Sequence, residues 1–411
     1  MKSTEAWKTL IFKRRAELFM KHHFRVLMIV PFYPNPIAGG LEKQAHELSC
    51  ALLAQGAMPR VLAVKFAPDQ QSREFIDSVP VTRLPSPTVK SFRFLVNALC
   101  LAWSMLRDRH DYDVVHIHQH SWFGLTALVL ARVIGKPRLI KLPNVGDYGL
   151  PGMSRMRLGW LRLRLFKLAD GVVSMSEETG RELAAIGYPL TRVFWTTNGI
   201  SLRLEHVSAG ERGAGEPLRV VFVGRLMAQK GIDLLLRAWQ SVVARISAPC
   251  RLEIWGDGPL APELRRECER LGLVGVVEFK GHVSDVREAL PSVDVFVLPS
   301  FNEGNSNSLL EAMAAGVAVV ATRVGGTPLL VGDTADRWLC EPGDIDALAE
   351  KLIQLLEDHK LRVSLGLEMK TRAERYFDIQ KIACSYAMAY ERLQQGRRDE
   401  LSSCRLTWPE V

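Results

Sequence analysis

The chain has 411 residues and a mass of 46.0 kDa, more than one hydrophobic core usually holds, and its 47% hydrophobic content is enough for ordinary cores in two domains. A net charge of +8 and a pI near 9.2 suit an anionic partner, whether nucleic acid, a membrane surface or a phosphorylated substrate. The cations are dispersed without interleaved stacking aromatics, which argues against nucleic acid, and the seven cysteines show no C-x-x-C pair and no metal-ligand spacing with histidine, which argues for reduced thiols in a cytosolic protein without disulfides.

Residues 1–23 mix Lys13, Arg14, Arg15 and Lys21 with Trp7, Leu10, Ile11, Phe12, Leu18 and Phe19, and no uninterrupted apolar stretch precedes a small-residue cleavage site. A frayed extension, or a start at Met20, accounts for the segment more simply than an interfacial helix. The fold opens with "FRVLMIVPF" (24–32), apolar throughout like a strand buried on both faces. A Pro, Asn and Gly turn leads to a helix in which Ala45, Leu48 and Leu52 recur at helical spacing before Gly56. Gly39 and Gly40 stand directly before that helix, where backbone N–H groups and the helix dipole can hold a phosphate; a tight turn with nothing bound explains the pair equally well.

"FLVNALCLAWSML" (94–106) is too short to span a bilayer, lies between Arg93 and Arg107, and is expected to be a buried helix. "DVVHIHQHSWFG" sets His116, His118 and His120 on one face of a strand. Three imidazoles can bind zinc, but no carboxylate or cysteine of suitable spacing accompanies them, so no metal is expected there. Near the carboxyl end of the strand His118 is better placed than His116 to donate a hydrogen bond to a ligand, with a packed core histidine as the alternative. "MSRMRLGWLRLRLFKLADG" (153–171) carries Arg155, Arg157, Arg162, Arg164 and Lys167 among leucines, Trp160 and Phe166. It reads as a basic amphipathic helix, either against anionic lipid or half-buried with its cations snorkelling.

Residues 201–218 are rich in Gly and charge and read as a linker, placed at 206–216. The strand, turn and helix order then repeats: "LRVVFVGRL" (218–226), "MAQKG", and a helix with Leu235, Ala238, Trp239 and Val242 on one face. Further apolar strands alternate with helices in both halves, which implies two parallel sheets. Ligands of such sheets bind outside the carboxyl ends of the strands, so a site between two facing domains is expected. Arg225 stands just past a strand end with Lys230 five residues on, and the two cations can clamp a pyrophosphate and stabilise charge growing on a departing diphosphate.

After "DVFVLP" the stretch "SFNEGNSNSLLEAMAAG" (300–316) turns through Gly304 and Asn305 and is expected to start a helix around Ser308. Ser308 and Glu311 match a capping box; that pairing leaves Glu303 unexplained, and leaves Asn307, Ser308 and Leu309 at a helix start able to receive an anion. "DYD" (111–113) and "DID" (344–346) precede a strand and open a helix, and read as structural rather than as metal sites.

Residues from about 24 to 395 resemble the large retaining glycosyltransferase family four. The resemblance rests on "EGNSNSLLEAMAAGVAVVATRVGG", with its Glu, seven residues, Glu pattern and the turn at Gly325 and Gly326, and on "NGI" (198–200), "VGRL" with "KG" (223–231) and "GDGP" (256–259). It implies an α/β GT-B fold, two Rossmann-like doubly wound parallel-sheet domains facing a shared cleft. The expected divisions are an extension to 23, an acceptor-side domain over 24–205, a donor-binding domain over 217–374, a helix over 375–395 returning to the first domain, and a disordered tail from 396.

The resemblance also implies transfer of a sugar from a UDP- or GDP-sugar to a glycan or lipid-linked acceptor in surface polysaccharide or glycolipid assembly. Anomeric configuration would be retained, with no cofactor and no obligatory metal, in the cytoplasm or peripherally on the membrane. By position Arg225 and Lys230 would hold the donor diphosphate, Glu311 the ribose hydroxyls and Glu303 sugar hydroxyls. Gly39 and Gly40 would approach the phosphate, and His118 would lie near the transferred sugar. The common "NGID" is "NGIS" here and Asn305 replaces a usual proline or bulky residue, which leaves donor identity open. A nucleotide-sugar epimerase and a non-catalytic sugar-nucleotide-binding protein are the competing readings.

Overall fold

The computed structural model describes residues 24–33, 39–67, 69–86, 90–202 and 216–404; the extension at 1–23 and nearly all of the expected linker lie outside the described residues. The chain forms two compact units, the first running to Gly199 and resuming at Ile379, the second spanning Ile200–Asp378.

Among its described residues the first unit is built on eight strands: β1 (Arg25–Ile29), β2 (Met58–Val64), β3 (Arg73–Ile76), β4 (Val79–Leu84), β5 (Val114–Ile117), β6 (Arg138–Lys141), β7 (Gly171–Ser174) and β8 (Val193–Trp195). Their order is β3-β4-β2-β1-β5-β6-β7-β8, parallel throughout except for the β3–β4 hairpin. β5, β6 and β7 are buried along their whole length because helices cover both faces of the sheet. Met28, Val173 and Phe194 pack on one face with the Gly40–Ala54 and Ile379–Gln394 helices. Ile29, Ile117 and Ile140 pack on the other with the Lys90–Arg107 and Trp122–Val133 helices.

Three expectations are corrected here. The apolar run at 94–106 is helical but only one stripe of it is buried: Leu101 and Met105 face the core, while Phe94, Leu95, Leu99 and Trp103 are 55–67% exposed. This helix is covered on one side only, so its remaining apolar residues stay exposed. The basic stretch at 153–171 is two short helices, Leu150–Arg155 and Gly159–Phe166, broken where Leu158 takes a left-handed conformation (φ 59). After Gly396 the chain stays ordered to Cys404: Arg398–Ser403 forms a 3₁₀ turn, Leu401 and Cys404 are fully buried, and Arg192 bonds Asp399 at 2.6 Å.

Among its described residues the second unit holds six strands, β9 (Leu218–Val223), β10 (Cys250–Trp255), β11 (Val277–Gly281), β12 (Val295–Leu298), β13 (Ala318–Thr322) and β14 (Leu339–Cys340). They are all parallel, in the order β11-β10-β9-β12-β13-β14. Leu235, Ala238, Trp239 and Val242 of the Ile232–Arg245 helix are fully buried, at the spacing the sequence shows.

Both sheets start from an inner strand. From β1 the chain first builds toward β2, then crosses to β5 on the other side; from β9 it builds toward β10 and β11, then crosses to β12. The gaps between β1 and β5 and between β9 and β12 are therefore the topological switch points, where diverging connections leave a crevice at the carboxyl ends of the strands. No helix among the described residues is long and apolar enough to cross a membrane.

Candidate active site

At the switch point of the second unit two loops lie against each other. After β9 the chain passes Arg225, makes the 3₁₀ turn Ala228–Lys230, and enters the Ile232–Arg245 helix through Gly231 at φ 63. A Cβ on Gly231 would stand 2.2 Å from the carbonyl oxygen of Pro299, so the close approach requires glycine. The Phe301 N–H donates to the Gln229 carbonyl at 2.8 Å and locks the two loops together.

This contact brings Lys230 to Glu303, two residues far apart in sequence: Lys230 Nζ lies 2.5 Å from Glu303 Oε1. Ser300 Oγ donates to the same oxygen at 2.7 Å. Glu303 is 7% exposed, and a carboxylate so buried is tolerable because a cation and a hydroxyl share its charge. Its backbone is fixed by the glycine turn after β13. Gly325 has φ +51, a Cβ there would fall 1.6 Å from the Glu303 carbonyl oxygen, and Gly326 N–H donates to the Gly304 carbonyl at 2.8 Å. Arg225 is exposed on the same loop as Lys230 and makes no ion pair among the described residues.

The capping box at Ser308 and Glu311 is not formed. The helix is Asn307–Ala314 and its cap is Ser306, whose Oγ accepts the Leu309 N–H at 3.4 Å and lies 3.2 Å from Ser308 Oγ. Starting two residues earlier puts Ser308 inside the helix, and Glu311, only 6% exposed, faces Arg287 with Nε to Oε1 at 3.6 Å. Asn307 and Ser308 remain in the first turn, partly exposed; Leu309 is fully buried.

At the switch point of the first unit Gly39 is the N-cap of the Gly40–Ala54 helix in an extended conformation, with no side chain capping the first turn. Gly40 is exposed. His118 follows β5, is 1% exposed, and has Nε2 3.4 Å from Met28 Sδ while Nδ1 has no hydrogen-bond partner. His116 stacks beside it at 4.1 Å and meets the Tyr390 hydroxyl through Nδ1 at 2.8 Å. Burial, then for His116 the His118 ring beside it, and for both the nearby Lys141, hold the two imidazoles well below the usual histidine range, so both are neutral at pH 7.

Lys141, at the end of β6, was not singled out from the sequence. It is 5% exposed, its Nζ donates to Asn198 Oδ1 at 2.6 Å, and burial brings its pKa down to about 7. The signal was present in "RLIKLP", where one cation closes an otherwise apolar strand at its carboxyl end. A basic side chain therefore stands at the carboxyl edge of each sheet.

Two family models match the chain: "Glycosyl transferase 4-like domain" over residues 39–199 and "Glycosyl transferases group 1" over residues 217–358. The chain is 26% identical to the N-acetyl-alpha-D-glucosaminyl L-malate synthase of Bacillus anthracis, over 71% of this chain and 78% of that protein. It is 28% identical to the 2-deoxystreptamine N-acetyl-D-glucosaminyltransferase of Streptomyces fradiae, over 79% of this chain and 86% of that protein. Among solved structures it resembles Anabaena HepE in complex with UDP and glucose, with a TM-score of 0.72 at 18% identity over 90% of this chain and 100% of that one. It also resembles WaaG, a glycosyltransferase involved in lipopolysaccharide biosynthesis, with a TM-score of 0.66 at 16% identity over 88% and 99% of the two chains. At such identities the structural likeness is one of fold.

Proposed function

The chain belongs to the group 1 glycosyltransferases and has the GT-B fold, and from that premise we propose that it transfers a sugar from a UDP- or GDP-sugar to a glycan or lipid-linked acceptor with retention of anomeric configuration. The observation that carries the reading is the buried Lys230–Glu303 pair at the switch point of the second unit. In this reading the donor diphosphate lies against Arg225 and Lys230, whose charge stabilises the negative charge that grows as the diphosphate departs. Glu303 and Glu311 accept hydrogen bonds from hydroxyls of the sugar and ribose. The start of the Asn307–Ala314 helix (Asn307 and Ser308, with the Leu309 N–H held by the Ser306 cap) and the Gly39–Gly40 turn add backbone N–H groups toward the phosphates.

The neutral imidazole of His118 stands near the transferred sugar as a hydrogen-bonding group. The acceptor hydroxyl attacks the anomeric carbon on the face the diphosphate leaves, and its proton passes to a departing phosphate oxygen, so no dedicated base and no metal are needed. HepE has been crystallised with UDP-glucose, which supports a nucleotide-sugar donor here.

A panel of UDP- and GDP-sugars in a thermal-shift assay should reveal one that raises the melting temperature, because a ligand of the folded state stabilises it. Proton NMR of the product should then show the donor's anomeric configuration. An inverted product removes the retaining mechanism, and turnover of the donor to an epimer without acceptor selects the epimerase. Complete loss of transfer on chelation, restored by manganese, would overturn metal independence.

A membrane-facing role has its own observation, the exposed stripe Phe94, Leu95, Leu99 and Trp103. The Phe94 ring meets Trp122 at 6.0 Å, and the Arg162 guanidinium lies over Trp122 at 4.4 Å, so the stripe adjoins the basic helix Gly159–Phe166. Exposed Trp160, Arg157, Arg164 and Lys167 extend this surface, as contact with anionic lipid requires. Binding to phosphatidylglycerol vesicles should weaken when Arg157, Arg164 and Lys167 are replaced by Gln; unchanged binding removes this reading.

A further inference from the structure

A second cluster of ligand atoms lies in the first unit and takes no part in the chemistry above. His46 and Cys50 sit one helical turn apart on the Gly40–Ala54 helix, and Asp77 sits in the tight β3–β4 turn, where Asp77 (φ 47) and Ser78 (φ 66) both adopt left-handed conformations. His46 Nε2 is 2.8 Å from Asp77 Oδ2 and 3.7 Å from Cys50 Sγ, which is also 4.0 Å from His46 Nδ1. All three residues offer a ligand atom within 4.8 Å of one another, the one such group among the described residues. We propose that His46, Cys50 and Asp77 bind one zinc ion, with water in the fourth position, tying the β3–β4 hairpin to the Gly40–Ala54 helix.

The sulfur-to-nitrogen separation already suits zinc, while the nitrogen-to-oxygen contact is that of an ion pair that opens to admit the ion. Tetrahedral zinc at ordinary bond lengths separates a nitrogen and a sulfur ligand by about 3.6 Å and a nitrogen and an oxygen ligand by about 3.4 Å. The sulfur-to-nitrogen separation of 3.7 Å already matches. The oxygen must withdraw by about half an ångström from its 2.8 Å contact to admit the ion. Asp77 is free to do so, since its side chain is 75% exposed. The outer shell is also present: the hydroxyl of fully buried Tyr33 lies 3.0 Å from His46 Nδ1 and edges onto its ring, fixing the imidazole so that Nε2 faces the cluster. A nitrogen, a thiolate and a carboxylate form a borderline-soft set that suits zinc and, as a spectroscopic substitute, cobalt. Binding breaks the Cys50 S–H bond, forms S–Zn, and releases the proton to solvent. His46 and Cys50 do stand at a ligand spacing in the sequence, four residues apart on a helix, contrary to the expectation that no cysteine has one with a histidine; only Asp77 comes from a hairpin well down the chain.

The test uses the reduced, untagged, full-length protein stripped of metal and titrated with cobalt(II) and then zinc(II). One equivalent of cobalt should give a thiolate-to-cobalt charge-transfer band, which zinc displaces. The band should vanish in Cys50→Ser. Asp77→Asn, at an exposed turn, should keep the band and weaken zinc binding about tenfold or more. Zinc should raise the melting temperature of the parent protein and not that of Cys50→Ser. No stoichiometric thiolate band in the parent protein, or a band undiminished in Cys50→Ser, overturns the proposal, as does equal zinc affinity in Asp77→Asn.

Discussion

At the switch point of the second unit a carboxylate and a cation are buried together, Glu303 receiving Lys230 at 2.5 Å and Ser300 at 2.7 Å on one oxygen. At that of the first unit His116, His118 and Lys141 are buried near one another, and the partners they meet are neutral: the Tyr390 hydroxyl, the Met28 sulfur and the Asn198 amide oxygen. The topology is the same, and the treatment of charge is opposite. A compensated pair retains its charges in low dielectric and can exchange one partner for a charged ligand group. Uncompensated bases instead shed their protons, leaving neutral hydrogen-bonding groups.

The largest effect should come from breaking the pair in the second unit. Glu303→Gln and Lys230→Ala are each expected to lower kcat/KM for transfer by about 10²–10³-fold, the loss typical of removing one preorganised charged contact. Circular dichroism should stay unchanged, because Ser300 still satisfies the residue left at 303. Turnover within about threefold of the parent in both variants would break the assignment of this switch point as the donor site.

A smaller effect separates the shape of that site from its charge. Gly325→Ala combines a left-handed φ of +51 with a Cβ 1.6 Å from the Glu303 carbonyl, whereas Gly56→Ala in the first unit has a φ of +84 and nothing within 4 Å. The first is expected to cost about 3 kcal/mol and the second about 1 kcal/mol, read from urea unfolding. Equal costs would mean that the close approach holding Glu303 in place contributes nothing.

How much of this was legible in the sequence follows from the range of the interactions. The strands "FRVLMIVPF", "DVVHIH" and "DVFVLP" announced themselves because burial on both faces demands continuous apolar runs. Lys230 and Glu303 were legible because each follows a strand in a compact motif, though only the packing of Gly231 on Pro299 explains why they touch. The helix start was misread by two residues since Ser306 and Ser308 are equivalent as local caps, and Arg287, which engages Glu311, belongs to another turn. The exposed stripe of the Lys90–Arg107 helix was hidden because composition reports apolarity without saying which layer covers it. Lys141 could be seen as an anomaly in its strand but not valued, for its state depends on what surrounds it in the fold.

That dependence gives the smallest and most selective measurement. Burial puts the native Lys141 pKa at about 7 against an ordinary value of 10.5, so above pH 7 the unfolded chain binds more protons than the native one. Stability should therefore rise with pH through this window, since the cost of neutralising the lysine falls as protons become scarce. His116 and His118 are both held below 6.5 and contribute mainly before it opens, while the thiols of Cys50, Cys250, Cys268 and Cys340, all raised from 9.0 by burial, oppose stability increasingly as the pH nears 9, in the parent and a Lys141 variant alike. Between pH 7 and pH 9 Lys141 is expected to contribute about 2 kcal/mol of rise, read as the change in the difference between the parent and Lys141→Met in urea unfolding. A variant with the same slope as the parent would show that Lys141 keeps its proton in the native state. The first switch point would then hold a permanent charge like the second, and the contrast between the two would disappear.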